Sequence, residues 1–578
     1  MRENDIVFFN LHRRYINMEP QFGGFMGIYL LSAFLNNNGY NAQGYAGAFM
    51  RGKDILDKIC QNKKVEVIGL YCDYDNVTEN IFLSRYIKEM YGLPVIVGGP
   101  QATALKQDFY EKSLCDAVVR FEGELTVLDL MNVLLDCTKA IEDVAGISYI
   151  RDGRLIINPE RQLIENLDML PLVTAEEYIE PSHYGRSLSL MTGRGCPFHC
   201  AFCHEGHHTK KVRLKSVQRV LEELEHYLDY YPNKNDIHIL FVDDTFTLIP
   251  ERVKAICEGI KRLCANRDVR WFSEGHIHTL YKNQEMIEYI ANSGGYRLQL
   301  GIEAGTQKVL DAYRKGSTLE EIRTVIIKCK EAGIKEVFSN IILGGAHFSR
   351  EIYYQDKEFA KELLTLGEGI VEIGVVTYWP LPETSVTDCP SEYGIKIIDK
   401  EFTTSAGDFP QVECGDLTRS DIMQMQQEMF QELLEHMKNM LLQGNVPHER
   451  IISWMDSYKI KTGAWYRVLK TIPHVLAFYQ MLASGEAERL ERAVQINTIE
   501  KLHPMRTIAL FNTVKIKSNG DIEICENIVS TQEFEILTYS IGKLSISEIS
   551  QKINMEIDEI IIYLKRLERM FLLVFSPY

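Results

Sequence analysis

Over the first 140 residues, short apolar and β-branched runs alternate with longer stretches whose apolar residues recur at helical spacing. Ile6 to Phe9, Val65 to Tyr71, Pro94 to Val97 and Ala117 to Val119 read as strands. Ile28 to Asn38, Asp54 to Gln61 and Glu79 to Met90 read as helices. This order predicts an α/β fold, a Rossmann-like doubly wound parallel sheet with its ligand crevice beyond the strand C-termini. The loops that fall there are small or polar: Gly23-Gly24, Cys72 to Asn76, Gly98 to Thr103 and Phe121 to Glu124. Residues 141–185 read as a linker carrying a hairpin at Gly146 to Ile157, with Asp152-Gly153 as its two-residue turn.

From residue 186 the alternation resumes, with strands predicted at Ser187 to Met191, Ile237 to Val242, Trp271 to Ser273, Arg297 to Leu300, Glu336 to Ile342 and Ile370 to Thr377. That spacing suits a partial β/α barrel, where reactive groups gather at strand C-termini. Candidate chemistry follows each strand in turn: a cysteine loop, Asp243 and Asp244, Glu274, Glu303, Gly344-Gly345, and Tyr378 to Pro382. Residues 401–506 are rich in helix formers, with Met423 to Leu442 strongly amphipathic. In residues 507–578, Lys515 and Glu523 flank the hairpin signal Asn519-Gly520. Helical stretches at Glu533 to Ile541, Ser545 to Ile553 and Asp558 to Met570, then a strand at Phe571 to Phe575, complete a winged-helix-like module.

Composition narrows the function classes. A formal charge of -17 over 578 residues disfavours partners bound through phosphate neutralisation, whether nucleic acid or an anionic membrane surface. From residue 540 onward five Lys/Arg stand against five Asp/Glu, which disfavours DNA binding by the last module. No apolar run of about 18 residues exists to span a membrane, and the start, Met1 to Phe9, lacks a signal-peptide core. Thirteen cysteines, an odd number scattered through a long chain, do not look like a disulfide framework. A soluble protein of the reducing cytoplasm is expected.

Three cysteines stand apart from the others. Cys196, Cys200 and Cys203 lie four and three residues apart on one short loop, with Phe202 before the last. Three thiolates can hold three irons of a 4Fe-4S cluster, which normally takes four, leaving one iron open to a further ligand. A zinc site completed by His204, His207 or His208 and three buried cysteines without metal are the competing readings.

Two resemblances sharpen this picture. Through Val95 to Thr103 and Val119 to Glu124, residues 1–140 resemble the cobalamin-binding domain that precedes many radical SAM domains. The resemblance implies cobalamin contacts from Asp73, Gly98, Gly99, Gln101 and Glu122. The Asp-x-His-x-x-Gly motif of methionine-synthase-like domains is absent, Leu11-His12-Arg13-Arg14 standing in its place. His12 is therefore expected to be a loop residue, and no protein histidine to ligate cobalt. Residues 186–400 are similar to the radical SAM superfamily through Cys-x3-Cys-x-aromatic-Cys, Phe241 to Phe246 and Leu298 to Thr306, in that order. This second resemblance implies S-adenosylmethionine (SAM) bound to the open iron by its amino and carboxylate groups. It also implies that Cys196, Cys200 and Cys203 are metal ligands and that Asp243, Asp244, Glu274, Glu303 and Gly344 surround SAM.

Together the resemblances imply a cobalamin-dependent radical SAM enzyme, most of which are methyltransferases. In the implied cycle a 5'-deoxyadenosyl radical takes a substrate hydrogen, the substrate radical accepts a methyl from methylcobalamin, and the cobalt, after reduction to Co(I), is remethylated by a second SAM. An electron donor such as flavodoxin or ferredoxin is implied as partner. The expected activity is methylation of an unactivated carbon in a peptide or small natural-product precursor. The alternatives are cyclisation or rearrangement without net methylation, and a non-enzymatic SAM- or redox-responsive binding protein. Where the family often has Pro-Leu-Pro-Gly-Thr, this chain has Pro380-Leu381-Pro382-Glu383-Thr384. Tyr378 and Trp379, with Glu383 and His347, are therefore candidates for contact with substrate. His199, His204, His207 and His208 are read as solvent or supporting residues. Ser545 to Ile549 resembles PqqD-like peptide-binding domains, with a structural lid or dimer contact as the competing role.

Overall fold

The computed structural model describes residues 3–13, 26–104, 107–184, 188–204, 211–230, 237–399, 409–456, 463–510 and 513–576. The loop Gly23-Gly24 and the histidines His207 and His208 lie outside them. The chain divides into two compact units, residues 1–359 with 373–427, and residues 360–372 with 428–578.

The first unit holds two large sheets. Strands β1 (Asn4–His12), β2 (Ala42–Ala48), β3 (Val65–Tyr71), β4 (Val95–Gly98), β5 (Ala117–Val119), β6 (Ile147–Arg151) and β7 (Arg154–Ile157) form the N-terminal sheet in the order β2-β1-β3-β4-β5-β6-β7. β1 to β5 pair in parallel, and chain order reverses between β1 and β3, which places the crevice at their C-terminal ends. Both faces are covered, as a parallel sheet requires. Ile6 and Phe8 pack under the helices Met26–Asn37 and Glu124–Leu134, while Val7 and Phe9 pack under Phe49–Gln61 and Val77–Tyr91.

Two features of this sheet depart from the sequence expectation. The hairpin assigned to the linker instead extends the sheet, β6 lying antiparallel to β5 through Val118↔Ser148 and Val119↔Ile147. β2 has the composition of a loop, Ala-Gln-Gly-Tyr-Ala-Gly-Ala. Its small residues allow Tyr29 of the adjoining helix to press close, and the Ala46 amide donates to the Tyr29 hydroxyl at 3.2 Å.

Strands β8 (Leu188–Leu190), β9 (Gly193–Arg194), β10 (Arg213–Leu214), β11 (Ile237–Phe241), β12 (Val269–Gly275), β13 (Gly295–Leu300), β14 (Glu336–Leu343) and β15 (Val371–Thr377) follow. Six of them form an open, partial-barrel sheet in the order β15-β14-β13-β12-β11-β8, whose sequential parallel pairing leaves all the C-terminal ends on one rim. β9 and β10 form a short antiparallel pair that closes the base of the cysteine loop, Arg213 lying opposite Arg194.

The second unit contains the helices His448–Asp456, Ala464–Lys470, Pro473–Ala483 and Leu490–Ile496, and a small C-terminal module. In that module Val514–Ile516, Ile522–Ile524 and Asn527–Val529 form an antiparallel meander, and His503–Arg506 pairs with Leu573–Ser576. The helices Thr531–Tyr539 and Ile546–Ile553 each begin with a reciprocal capping box, Ser530 with Glu533 and Ser545 with Glu548. Ser545 to Ile549 is thus a helix start, with Ile546 and Ile549 in a core they share with Ile536, Leu564 and Phe575. Among the described residues no helix is long and apolar enough to cross a membrane.

Candidate functional site

The cysteine loop is held at several points by the rim of the second sheet. The Ala201 amide donates to the Tyr313 carbonyl at 2.8 Å, and the Val386 amide to the Ala201 carbonyl at 3.0 Å. Phe198 stacks on His276 with ring centres 3.7 Å apart and planes 9° from parallel, and Phe202 meets the edge of Tyr313 at 4.7 Å. His204 Nδ1 lies 3.2 Å from the Pro382 carbonyl, so that nitrogen carries the proton. Cys200 is buried, and Cys196 and Cys203 are half-buried. The Cys196 sulfur lies 3.4 Å from the Thr245 hydroxyl. Burial pushes the Cys200 thiol up, and the nearby Lys315 ammonium opposes that rise.

Among the described residues no group of three or more His, Cys, Asp and Glu side chains converges to hold a single metal ion. A cubane cluster asks for a different arrangement, since each thiolate takes its own iron. Three cysteines presented by one anchored loop, with Cys196 and Cys200 within electrostatic reach of each other, suit that arrangement.

Next to the loop stands an acidic rim. Asp244 follows β11, Glu274 lies in β12 and Glu303 follows β13. Burial pushes Glu274 up to about 7, and the Asp244 and Glu303 carboxylates add to the rise. Asp244 is also raised by burial, against the pull of the Gly195 amide, which donates to it at 2.7 Å. Gln299 Nε2 donates to Glu274 at 2.9 Å, and Lys315 donates to Glu303 at 2.9 Å. Mutually repelling carboxylates in a water-poor rim make a site whose electrostatics suit a cation. Asp243 is turned elsewhere. It accepts from the Thr192 amide at 2.5 Å and from the Thr192 hydroxyl, and burial raises it to about 6. Its carboxylate fastens β11 to the chain before the cysteine loop.

A cavity of about 420 Å³ opens between the two sheets, within the range of about 300–1,000 Å³ for small-molecule sites. Gly98, Gly99 and Glu122 reach it from the N-terminal sheet, and Arg194, His204 and Asp244 from the second. Gly99 has φ +110°, and a Cβ there would stand 2.5 Å from the Cys72 carbonyl oxygen, so the loop needs glycine. Glu122 and Glu124 do not present free carboxylates to this cavity. Arg194 contacts Glu122 at 3.1 Å and Glu124 at 2.5 Å, and Arg213 forks onto Glu122. Burial raises Glu124, but Arg194 and Arg213 outweigh it and hold the carboxyl below its ordinary value.

The remaining predicted residues are scattered. Burial and Asp75 raise Asp73 to about 6, against the Tyr74 amide, which donates to it at 2.7 Å. Gln101 is buried in the short helix Pro100–Ala104. Gly344 packs against Val412 and Ile422, and its carbonyl accepts from Cys414. Tyr378 is buried with its hydroxyl 3.4 Å from that of Thr387, and burial pushes it up to about 12. Trp379 meets Tyr74 of the N-terminal sheet edge-on, ring centres 4.4 Å apart. His347 and Glu383 both take left-handed backbone conformations, φ +56° and +58°. His12 is a buried strand end rather than a loop residue, 3.0 Å from Asp75 and 2.7 Å from Asn10. Sequence reasoning did not single out Arg194, Arg213, Thr245, Gln299 or Lys315, whose partners lie 12 to 91 residues away.

Comparison with known proteins matches both halves of the cavity. Residues 23–131 match the B12 binding domain and residues 190–353 the radical SAM superfamily. An uncharacterized methyltransferase of Pyrococcus horikoshii is 30% identical over 293 residues, 50% of this chain and 59% of that protein. The cytidylyl-2-hydroxyethylphosphonate methyltransferase of Streptomyces wedmorensis is 25% identical, over 54% of this chain and 67% of its own. The chain thus spans only 59% of the first of these relatives. In fold, the cobalamin-dependent S-adenosylmethionine radical enzyme OxsB, with aqua-cobalamin and S-adenosylmethionine bound, superposes with a TM-score of 0.58 at 17% identity, covering 83% of this chain and 72% of that one. The radical S-adenosylmethionine methyltransferase TsrM of Kitasatospora setae gives 0.55 at 14% identity, covering 69% and 78%. The chain thus matches a B12 binding domain model and, after it, a radical SAM model, and domains of these two kinds imply cobalamin, a 4Fe-4S cluster and SAM.

Proposed function

We propose that this chain is a cobalamin-dependent radical SAM methyltransferase that acts on an unactivated carbon of a peptide or small natural-product precursor. The observation that carries the reading is the cavity shared by the two domains, walled by Gly98-Gly99 on one side and by Arg194 and Asp244 on the other. A methyl carrier and a radical initiator that act on one substrate need such a common chamber. The relatives named as methyltransferases favour methylation. Others, a magnesium-protoporphyrin IX monomethyl ester cyclase and a 4'-phospho-dehydrooxetanocin synthase, keep ring formation as the second reading.

In this reading Cys196, Cys200 and Cys203 hold the cluster, while Asp244, Glu274 and Glu303 take the cationic end of SAM. Gly98, Gly99 and their neighbours cradle cobalamin, with Asp73 and Gln101 beside that loop. The bound groups supply one-electron cleavage of the SAM sulfonium and a transferable methyl. The chain's own part is placement and exclusion of water. The Thr192-Asp243 contact and the Tyr313 carbonyl fix the cysteine loop, and Trp379 with Tyr74 bridges the substrate side to the cobalamin side. The proposed domains are residues 1–140, whose sheet the hairpin of 147–157 extends, 186–400 and 507–578, joined by the rest of the linker 141–185 and by the helical extension 401–506. The proposed setting is the cytoplasm, with flavodoxin or ferredoxin as electron donor.

The test is an anaerobic incubation of the iron-sulfide-reconstituted protein with SAM, reductant and hydroxocobalamin, followed by mass spectrometry. S-adenosylhomocysteine and 5'-deoxyadenosine together are expected. 5'-Deoxyadenosine alone from cobalamin-loaded protein would favour the ring-forming reading, and protein that retains no cobalamin would sink both.

A further inference from the structure

The acidic rim contains a cation of its own. Lys315 is buried, and its ammonium donates to Glu303 at 2.9 Å. The ammonium lies 5.8 Å from the centre of the Phe202 ring, beside Cys203, and interacts electrostatically with the Cys200 and Cys203 thiols.

Several contacts fix this geometry. The Lys315 carbonyl accepts from His276 Nε2 at 3.1 Å, His276 stacks on Phe198 of the cysteine loop, and Tyr313 holds Ala201. A Cβ at position 301 would stand 2.2 Å from the Lys315 ammonium, so Gly301 is what lets the ammonium reach the carboxylate. Glu303 adopts φ +66°, a strained backbone for a residue with a side chain, and is pinned there by two bonds. Its amide donates to the Asn340 carbonyl at 2.9 Å, and its carbonyl accepts from the Ile342 amide at 2.9 Å. A buried ion pair recovers only part of its desolvation cost. A purely structural pair therefore accounts neither for the strain at Glu303 nor for an ammonium set against two thiols.

We propose that Lys315 is a positioning residue for the iron-sulfur cluster, whose ammonium, held by Glu303 beside the Phe202 ring of the cysteine loop, favours the reduced state. The inference rests on the reading that these cysteines hold a 4Fe-4S cluster. Reduction adds one electron from an external donor, with no bond made or broken. A fixed positive charge in a water-poor site stabilises the extra negative charge, by more than it would in open solvent.

The test uses the full chain, reconstituted with iron and sulfide, without SAM or cobalamin. The cluster is titrated with dithionite in the presence of mediators, and the reduced signal is followed by electron paramagnetic resonance. Lys315→Gln is expected to lower the reduced-to-oxidised ratio at fixed potential by at least about tenfold, a midpoint shift of about 59 mV for one electron. Glu303→Gln is expected to raise the midpoint, and Lys315→Arg to leave it near that of the unmodified protein. Opposite signs from the two members of one pair do not arise from a general loosening of the fold. If Lys315→Gln fails to assemble a cluster, the rise in Glu303→Gln and the constancy of Lys315→Arg decide. Unchanged midpoints, or shifts of the same sign in Lys315→Gln and Glu303→Gln, would overturn the proposal. Failure of the unmodified protein to assemble a cluster would instead remove the reading beneath it.

Discussion

At the rim of the N-terminal sheet, the half-buried Glu122 and the buried Glu124 lie against Arg194 and Arg213, each carboxylate meeting a guanidinium. At the rim of the second sheet, Asp244, Glu274 and Glu303 face one another, and Lys315 pairs with only Glu303. Burial acts on both sets, with opposite results: Glu124 is held below its ordinary value, while Glu274 is pushed up to about 7. Acidic residues at strand ends are therefore not equivalent. One pair is neutralised internally and serves as a clamp between domains. The other group keeps most of its mutual repulsion, which Lys315 relieves only in part.

The most drastic way to separate the two rims is Cys200→Ala with Cys203→Ala. Iron and sulfide content is expected to fall to background, while cobalamin, measured by its visible absorption, still binds. Loss of both together would show that the rims are not independent. Next in size is Arg194→Met, which leaves Glu124 buried beside an apolar side chain. Breaking a buried pair in this way costs about 3–5 kcal/mol, to be read by denaturant unfolding. Adding Glu124→Gln should restore part of that loss, because the stranded charge is then gone.

Gly99→Ala is expected to destabilise by about 1–3 kcal/mol through backbone strain, with a lower melting temperature and weaker cobalamin retention as readouts. An unchanged melting temperature would contradict the close approach to Cys72. The smallest effect sharpens the acidic side. Under the proposed reading Glu274 takes the cationic end of SAM when ionised, and burial has raised it from 4.5 to about 7. SAM affinity, measured by equilibrium dialysis, should rise by about tenfold between pH 6 and pH 8 and become insensitive to pH in Glu274→Gln. Stability of the ligand-free protein should move the other way. The stabilisation from a raised carboxyl is full below about 4.5 and is lost as pH rises through about 7.

Much of the fold was legible because its signals are local. The runs Val65 to Tyr71 and Ala117 to Val119 become strands with those bounds, and the six strands predicted in the second sheet all form. β2 escaped because its residues answer to the closeness of Tyr29 rather than to β propensity. The hairpin at Ile147–Arg151 and Arg154–Ile157 was legible as a hairpin, but its attachment to β5 depends on a pairing that no local signal encodes. At the candidate site the spacing of the cysteines was visible, and so were the acids at strand ends. Which acid faces the cavity was not, since neighbours Asp243 and Asp244 point to different partners. Nor could spacing show that Arg213 reaches back to Glu122, or that a lysine after a helix would pair with Glu303 beside the cysteine loop.

The left-handed backbone at Glu303 and the ammonium it holds constrain how this protein can evolve. Glycine at position 303 would relieve the strain but strand Lys315 without its counterion. An apolar residue at position 315 would likewise strand Glu303. Either single change is unfavourable, whereas both together relax the backbone and remove the buried charges. Selection for heat resistance alone would favour that double replacement but has to cross a fitness valley to reach it. The two positions are thus expected to change together or not at all, an epistatic lock that protects the site from gradual erosion.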